Sequence, residues 1–470
     1  MRTLKTFSAL AITALSLTLA ASAGAAAPTV VKVGSLPGTP AKYNKVFITK
    51  YGPNSAKKVL LLIPGTNGGA ENFALVGAEM AKKVPGLQVW AMDRREQALE
   101  DNSMMQKVLA NKATPQQALD YYLGLGWTKK PVPSNTFVPL QAKDFKFMKD
   151  WGMKMQLEDA RTVILQAKKQ GKTVILGGHS LGASMAAAYA TWDFGGKPGY
   201  KDIAGIVAID GGLAGTFDST DTAEGARANL AKLDVTDTNP DGPWANLLGI
   251  GGFAWATGPF AQIGALGALK APNALSVLGS FPLLPAYLKA DVATTNEGAL
   301  GFAFDNDTSP KALSLIQVRA GNLAASGDPR GWANGEVTPV QNIAKGFAGD
   351  QYGTNSVDWY YPSRLNVDSN GASSMDRNSP AAKVLGLRVW HLADVNIPYY
   401  AFQTSLTGTR DGVVNGAKNF AARSKVPKGG LVIVDAKTTT SHLDPLLAAP
   451  ATSDFLKTVI PFLKTKIKTR

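Results

Sequence analysis

One serine stands between glycines in Gly178-His179-Ser180-Leu181-Gly182, at the end of an aliphatic run. A serine hydroxyl is a poor nucleophile at its own pKa, so it needs a base within hydrogen-bond reach. Three histidines are on offer. His179 is the variable residue of the glycine-serine pattern; its side chain points away from its neighbour's, and it is read as packing locally. His391 lies among hydrophobic residues in Arg388-Val389-Trp390-His391-Leu392 and is read as buried or gate-lining. His442 follows an aliphatic run and a polar loop, in Ser441-His442-Leu443-Asp444-Pro445, and is the expected base.

The base in turn needs a carboxylate that fixes its tautomer and stabilises the imidazolium. Asp411 is the favoured candidate: it follows the aliphatic segment 398–404 in a loop bounded by Gly408 and Gly412. Capping the next helix is its alternative use. Asp210, at the end of segment 205–209, is the main competitor, and Asp394 a further one. Attack on an acyl carbonyl also places negative charge on the carbonyl oxygen, which backbone N–H groups can stabilise. The amide of Leu181 is one expected donor. The other is sought in Ile63-Pro64-Gly65-Thr66-Asn67-Gly68-Gly69, with Thr66 first and Asn67 second.

These residues require elements that bring them together. Short segments rich in Val, Ile, Leu and aromatics read as strands at 30–33, 45–49, 59–63, 89–92, 173–176, 205–209, 398–404 and 431–434. Helical patterns fall at 156–170, 183–191, 414–424 and after Pro450. Alternation of this kind means α/β architecture, a mostly parallel sheet with helices on both faces. In such sheets the chemistry sits beyond the carboxyl ends of the strands. Ser180, the loop after Ile63, Asp210, Asp411 and His442 all fall there. G-x-S-x-G between strand and helix is the nucleophile-elbow pattern, in which a tight turn presents the hydroxyl outward.

The sequence thereby resembles the α/β-hydrolase fold, in the broad group of lipases, carboxylesterases and polyester-cleaving enzymes. The resemblance covers about residues 30–212 and 393–470, and rests on Pro64-Gly65-Thr66, Gly178-His179-Ser180-Leu181-Gly182, Asp411 and His442. Pro64 stands where many such enzymes carry histidine. The resemblance implies an eight-stranded sheet, a large cap insertion after strand 6, and hydrolysis of carboxylic esters through an acyl-enzyme, with a small-molecule, lipid or polyester substrate. Amidase, peptidase or acyltransferase action uses the same triad. An envelope protein with an inert site on this scaffold is the reading from another class.

The cap falls at 213–392, between core segments 26–212 and 393–470. Residues 242–269 carry no charge, but Pro243, Pro259 and seven glycines speak against a membrane span. Trp244, Phe253, Trp255 and Phe260 are read as lining an acyl pocket or forming the cap's own core. A second insertion, 97–154, is expected to border the cleft, and the charges from Asp93 to Glu96 to form a structural ion-pair cluster.

Composition sets the outer limits. The chain has 470 residues, 45% hydrophobic and 18% charged, enough for a large core. Arg2 and Lys5, an apolar run and Ala21-Ser22-Ala23 read as a secretory signal peptide over 1–25, cut after Ala23 or Ala25, which implies a secreted or periplasmic protein. There is no cysteine, which excludes thiol catalysis and cysteine-ligated metal. No phosphate loop, histidine cluster or Asp-rich calcium loop calls for a cofactor or metal. The net charge of +14, or +12 without Arg2 and Lys5, suits peripheral contact with an anionic envelope or lipid surface. The cationic residues are scattered, which argues against nucleic acid.

Overall fold

A computed structural model describes residues 27–124, 136–217, 222–246, 253–279, 281–282 and 284–468. The expected signal peptide lies outside the described residues. Among the described residues ten strands form: β1 (Thr29–Lys32), β2 (Lys45–Tyr51), β3 (Lys58–Ile63), β4 (Leu87–Asp93), β5 (Thr173–His179), β6 (Ile206–Ile209), β7 (Gly321–Gly327), β8 (Arg330–Asn334), β9 (Tyr399–Gln403) and β10 (Leu431–Asp435). Eight make one sheet in the order β1-β2-β4-β3-β5-β6-β9-β10, and β7 pairs with β8 in a separate hairpin. β1 and β2 run antiparallel to their neighbours, and the remaining pairs are parallel. This strand order is that of the α/β-hydrolase fold, with all eight expected strands in place.

Period-two patterning divides the core. In β3, Leu60 and Leu62 face one side of the sheet, and Val59, Leu61 and Ile63 face the other. The helices Ala74–Lys83 and Asp454–Thr465 cover the first face through Val76, Met80, Phe455 and Phe462. The helices Met153–Lys169, Leu181–Thr191 and Gly412–Ala422 cover the second. Leu181–Thr191 is buried along its whole length, and its four alanines from Ala186 to Ala190 let it pass close to the sheet.

The chain between β6 and β9 is the large insertion. Its helices Thr257–Lys270, Asn296–Phe304 and Val340–Phe347 sit above the carboxyl ends of the strands, and their core is continuous with the first sheet face. Later insertion residues, Tyr361, Leu365 and Val389 among them, pack on the second face. Among the described residues no helix is long and apolar enough to cross a membrane. Segment 97–154 packs against the insertion: Lys270 Nζ donates to Leu109 O at 2.7 Å and Trp244 Nε1 meets Met148 Sδ at 3.0 Å.

Candidate active site

Ser180 is the hinge between β5 and the helix Leu181–Thr191. Its φ of 54° and ψ of −120° are values that a residue with a side chain adopts only under strain. The flanking glycines make the turn possible. A Cβ on Gly178 would lie 2.4 Å from the Gly182 carbonyl carbon, and one on Gly182 would lie 1.9 Å from Ile63 O. The Ser180 N–H is fixed by donation to Ile209 O at 2.8 Å, so neighbouring β6 holds the elbow in place.

His442 arrives from the loop after β10. Its Nδ1 lies 2.5 Å from Oδ2 of Asp210, and both side chains are buried. Asp210 stands directly past β6 and also accepts from the Thr404 amide, at 2.8 Å, and from the Thr404 hydroxyl. Three donors converge on one carboxylate and leave it a single orientation. With Nδ1–H engaged by Asp210, Nε2 is the imidazole nitrogen available to the serine proton. Ser180 and His442 line one cavity, together with Gly65, Thr66 and Asn67.

The acid expected from the sequence is not brought to His442. Asp411 starts the helix Gly412–Ala422, where its half-exposed carboxylate pairs with Lys437 and accepts from Gln403 Nε2 at 3.3 Å. The hydrogen bond from Lys437 holds its carboxyl below the usual value. The six-residue turn Ser405–Arg410 carries Asp411 away from the end of β9, whereas Asp210 follows the neighbouring strand end without a spacer. A sequence signal for Asp210 existed in the pair Gly211-Gly212 straight after it. Asp394 lies on the surface with Lys425, 3.0 Å away. His391, read as buried or gate-lining, is partly exposed and bonds Asp193 at 3.1 Å, beside Arg388.

His179 packs locally, as its position in the elbow suggests, but it also has a specific partner. Its Nε2–H donates to the backbone carbonyl of His442 at 2.8 Å, and the two rings lie 4.2 Å apart. Burial, and then the neighbouring His442, push its pKa well down, so it remains a neutral donor. The elbow thus holds the histidine loop by its main chain.

The loop after β3 is held from below. Arg94, buried just past β4, donates to the carbonyls of Pro64 and Gly65 (2.8 Å), to Gly68 O at 3.1 Å and to Asp358 at 2.7 Å. From the insertion, Asp358 N donates to Asn67 O at 2.9 Å, while Asn67 Nδ2 donates to Asp358 O at 3.0 Å. The carbonyls therefore point down into this network. Among the described residues, no protein acceptor takes the amides of Leu181, Thr66 or Asn67. The charge cluster Asp93 to Glu96, expected to form structural ion pairs, does so through Arg94 with Asp358 and Arg95 with Asp159, while Asp93 accepts from the amides of Ala70 and Asn355. Its specific task, presenting the Gly65-Thr66 turn, was not legible.

Glu96 in that cluster is fully buried, and among the described residues neither carboxylate oxygen has a protein partner. Burial, then Asp358, raise its pKa to about 8 against the pull of Arg94. The folded state therefore holds a proton that the unfolded chain releases near pH 4.5. This contribution to stability is complete below that pH and is lost as pH rises to about 8. Glu96→Gln should leave the melting temperature unchanged near pH 4.5 and raise it relative to wild type at pH 8; equal melting curves at both pH values would refute the assignment.

The cavity wall beyond Ser180 and His442 is mainly apolar, with Phe73, Ala261, Phe304, Ile316, Phe347 and Leu446 in it. No described residue of 97–154 reaches it, contrary to expectation. Of the four insertion aromatics, Trp244, Trp255 and Phe260 are buried in the core. Phe253 is 45% exposed, stacked on Trp255. Among the described residues no group of three or more His, Asp or Glu is placed to hold a metal ion.

No protein-family model and no curated protein sequence matches the chain. Solved structures are similar at low identity. A chain from Sulfolobus solfataricus is 14% identical, with 92% of each chain covered and a TM-score of 0.44. A thermophilic esterase from Thermogutta terrifontis is 11% identical over 94% of this chain and 100% of its own, at 0.40. Epoxide hydrolase VrEH1 from Vigna radiata is 12% identical over 93% and 97%, at 0.41. The fold itself rests on the strand order.

Proposed function

We propose that the protein is a serine hydrolase that cleaves carboxylic esters of lipophilic acids. The observation that carries this reading is the Asp210–His442 contact of 2.5 Å, with His442 and the strained Ser180 both lining one mainly apolar cavity. His442 takes the proton of Ser180 as its oxygen attacks the ester carbonyl. The amides of Leu181 and Thr66 receive the oxyanion. His442 then protonates the leaving alcohol, and the same histidine activates the water that releases the acid. Asp210 keeps the imidazole in the Nδ1–H tautomer and stabilises it when charged. The mainly apolar wall supports lipophilic acyl groups over sugars or highly charged substrates. The N-terminal segment 1–25 supports action outside the cytoplasm, where the positive charge suits an anionic envelope.

The test is covalent. A fluorophosphonate probe should label the protein at one residue, identified by peptide mass spectrometry as Ser180, and Ser180→Ala should take no label. A wild-type protein that stays unlabelled and turns over no p-nitrophenyl butyrate would sink the reading.

A further inference from the structure

The catalytic cavity, of about 80 Å³, does not end the apolar space above the sheet. A second cavity of about 70 Å³ lies inside the insertion, between the helices Thr257–Lys270 and Asn296–Phe304. Ala261, Phe304 and Ile316 belong to the walls of both cavities. They are therefore the partition between two chambers in series. On Thr257–Lys270 the residues facing the second chamber are Phe260, Ala261 and Gly264, and on Asn296–Phe304 they include Ala299, Leu300 and Ala303. These positions recur at helical spacing, so each helix turns one apolar stripe to the space.

Ser276 and Asn296 are the polar residues in the wall of the second chamber, and the Asn296 side chain is already occupied. Asn296 Oδ1 accepts the Val277 N–H and its Nδ2 donates to Ala271 O, both at 2.9 Å. Among the described residues no charged side chain lines it. Apart from the Ser276 hydroxyl, a space of this kind gives a polar ligand little to bond and is suited to hydrocarbon.

We propose that the second chamber binds the far end of the substrate's acyl chain, making hexanoyl to octanoyl esters the favoured substrates; this rests on the ester-hydrolase reading above. An apolar cavity of roughly 150 Å³ holds the six carbons of a benzene, or about 25 Å³ per carbon. The first chamber alone accepts about three carbons beyond the carbonyl by that measure, and the two together about six. Phe304, on the partition, decides whether the chain passes. Each methylene that enters should favour the longer ester by roughly fourfold.

The experiment compares kcat/KM for p-nitrophenyl butyrate, octanoate and decanoate in wild type, Gly264→Leu and Phe304→Leu. A side chain at Gly264 enters the chamber, since its Cβ would meet the Leu278 Cδ1 methyl at 3.2 Å. Gly264→Leu should lower the octanoate-to-butyrate ratio at least tenfold, and Phe304→Leu should raise the decanoate-to-octanoate ratio about threefold. Ratios unchanged in both variants, with butyrate turnover present, would overturn the chamber and leave the hydrolase reading standing. Calorimetric titration with sodium octanoate decides the case in which no ester is turned over. Binding by wild type that Gly264→Leu abolishes supports the chamber, and no binding by wild type overturns it.

Discussion

Asp210→Asn is expected to lower kcat/KM for a p-nitrophenyl ester by about 10⁴-fold, and Asp411→Asn by less than about threefold. The asparagine keeps the shape of Asp210, and its oxygen can still accept from the Thr404 amide, which puts its NH2 group where Oδ2 faced the Thr404 hydroxyl and His442. What it loses is the charge opposite Nδ1 of His442 and the bias toward the Nδ1–H tautomer. An imidazole with its proton on Nε2 cannot take one from Ser180. The cost should fall on kcat, because the apolar cavity that binds the substrate is untouched. Asp411→Asn removes an exposed pair with Lys437, a contact largely screened by water. Steady-state kinetics on both variants, with circular dichroism to confirm folding, check the assignment. The reverse ranking would move the acid to Asp411 and require its loop to rearrange in the working enzyme.

The error over the acid has a physical cause. Central parallel strands such as β3 and β5 read as aliphatic runs because both faces are covered, and the less buried β1, β2 and β10 still carry enough Val, Ile and Phe to read as strands, so Ser180 and the histidine loop were legible with them. The elbow was legible because its constraint is local: Gly178 and Gly182 stand two residues either side of the serine they serve. Which aspartate reaches His442 depends instead on the direction a side chain takes at a strand end. At Asp210 a φ of 47° turns the carboxylate under the elbow, and the Thr404 donors from β9 lock it. None of that is encoded in spacing. Asp411 matched the expected position along the chain equally well, but Lys437, 26 residues later, claims it together with Gln403. The same holds for the insertion, whose aromatic content was visible while the division into two chambers depends on helix packing.

The role of Arg94 escaped the sequence for a related reason, and it yields the second large effect. A run of Asp93-Arg94-Arg95-Glu96 reads as ion pairs, and Arg95 does make one, with Asp159 at 2.6 Å. Arg94 does more, because its planar fork serves the three carbonyls of the 64–68 loop and Asp358 at once. Arg94→Met should destabilise the fold by about 3–5 kcal/mol, since it leaves a buried carboxylate and several carbonyls unmet. Arg94→Lys separates folding from catalysis. It keeps the positive charge, but an ammonium cannot reproduce a planar fork across four acceptors. The Gly65-Thr66 turn should then shift, and misplacing one oxyanion donor costs about 10²–10³ in kcat. Arg94→Lys is therefore expected to stay folded, melting above Arg94→Met and below wild type, and to lose at least tenfold in kcat, with KM within about twofold. The readouts are a thermal melt and the split between kcat and KM. A folded Arg94→Lys protein with wild-type kcat would show that Asp358 and Asn67 hold the oxyanion loop without the guanidinium.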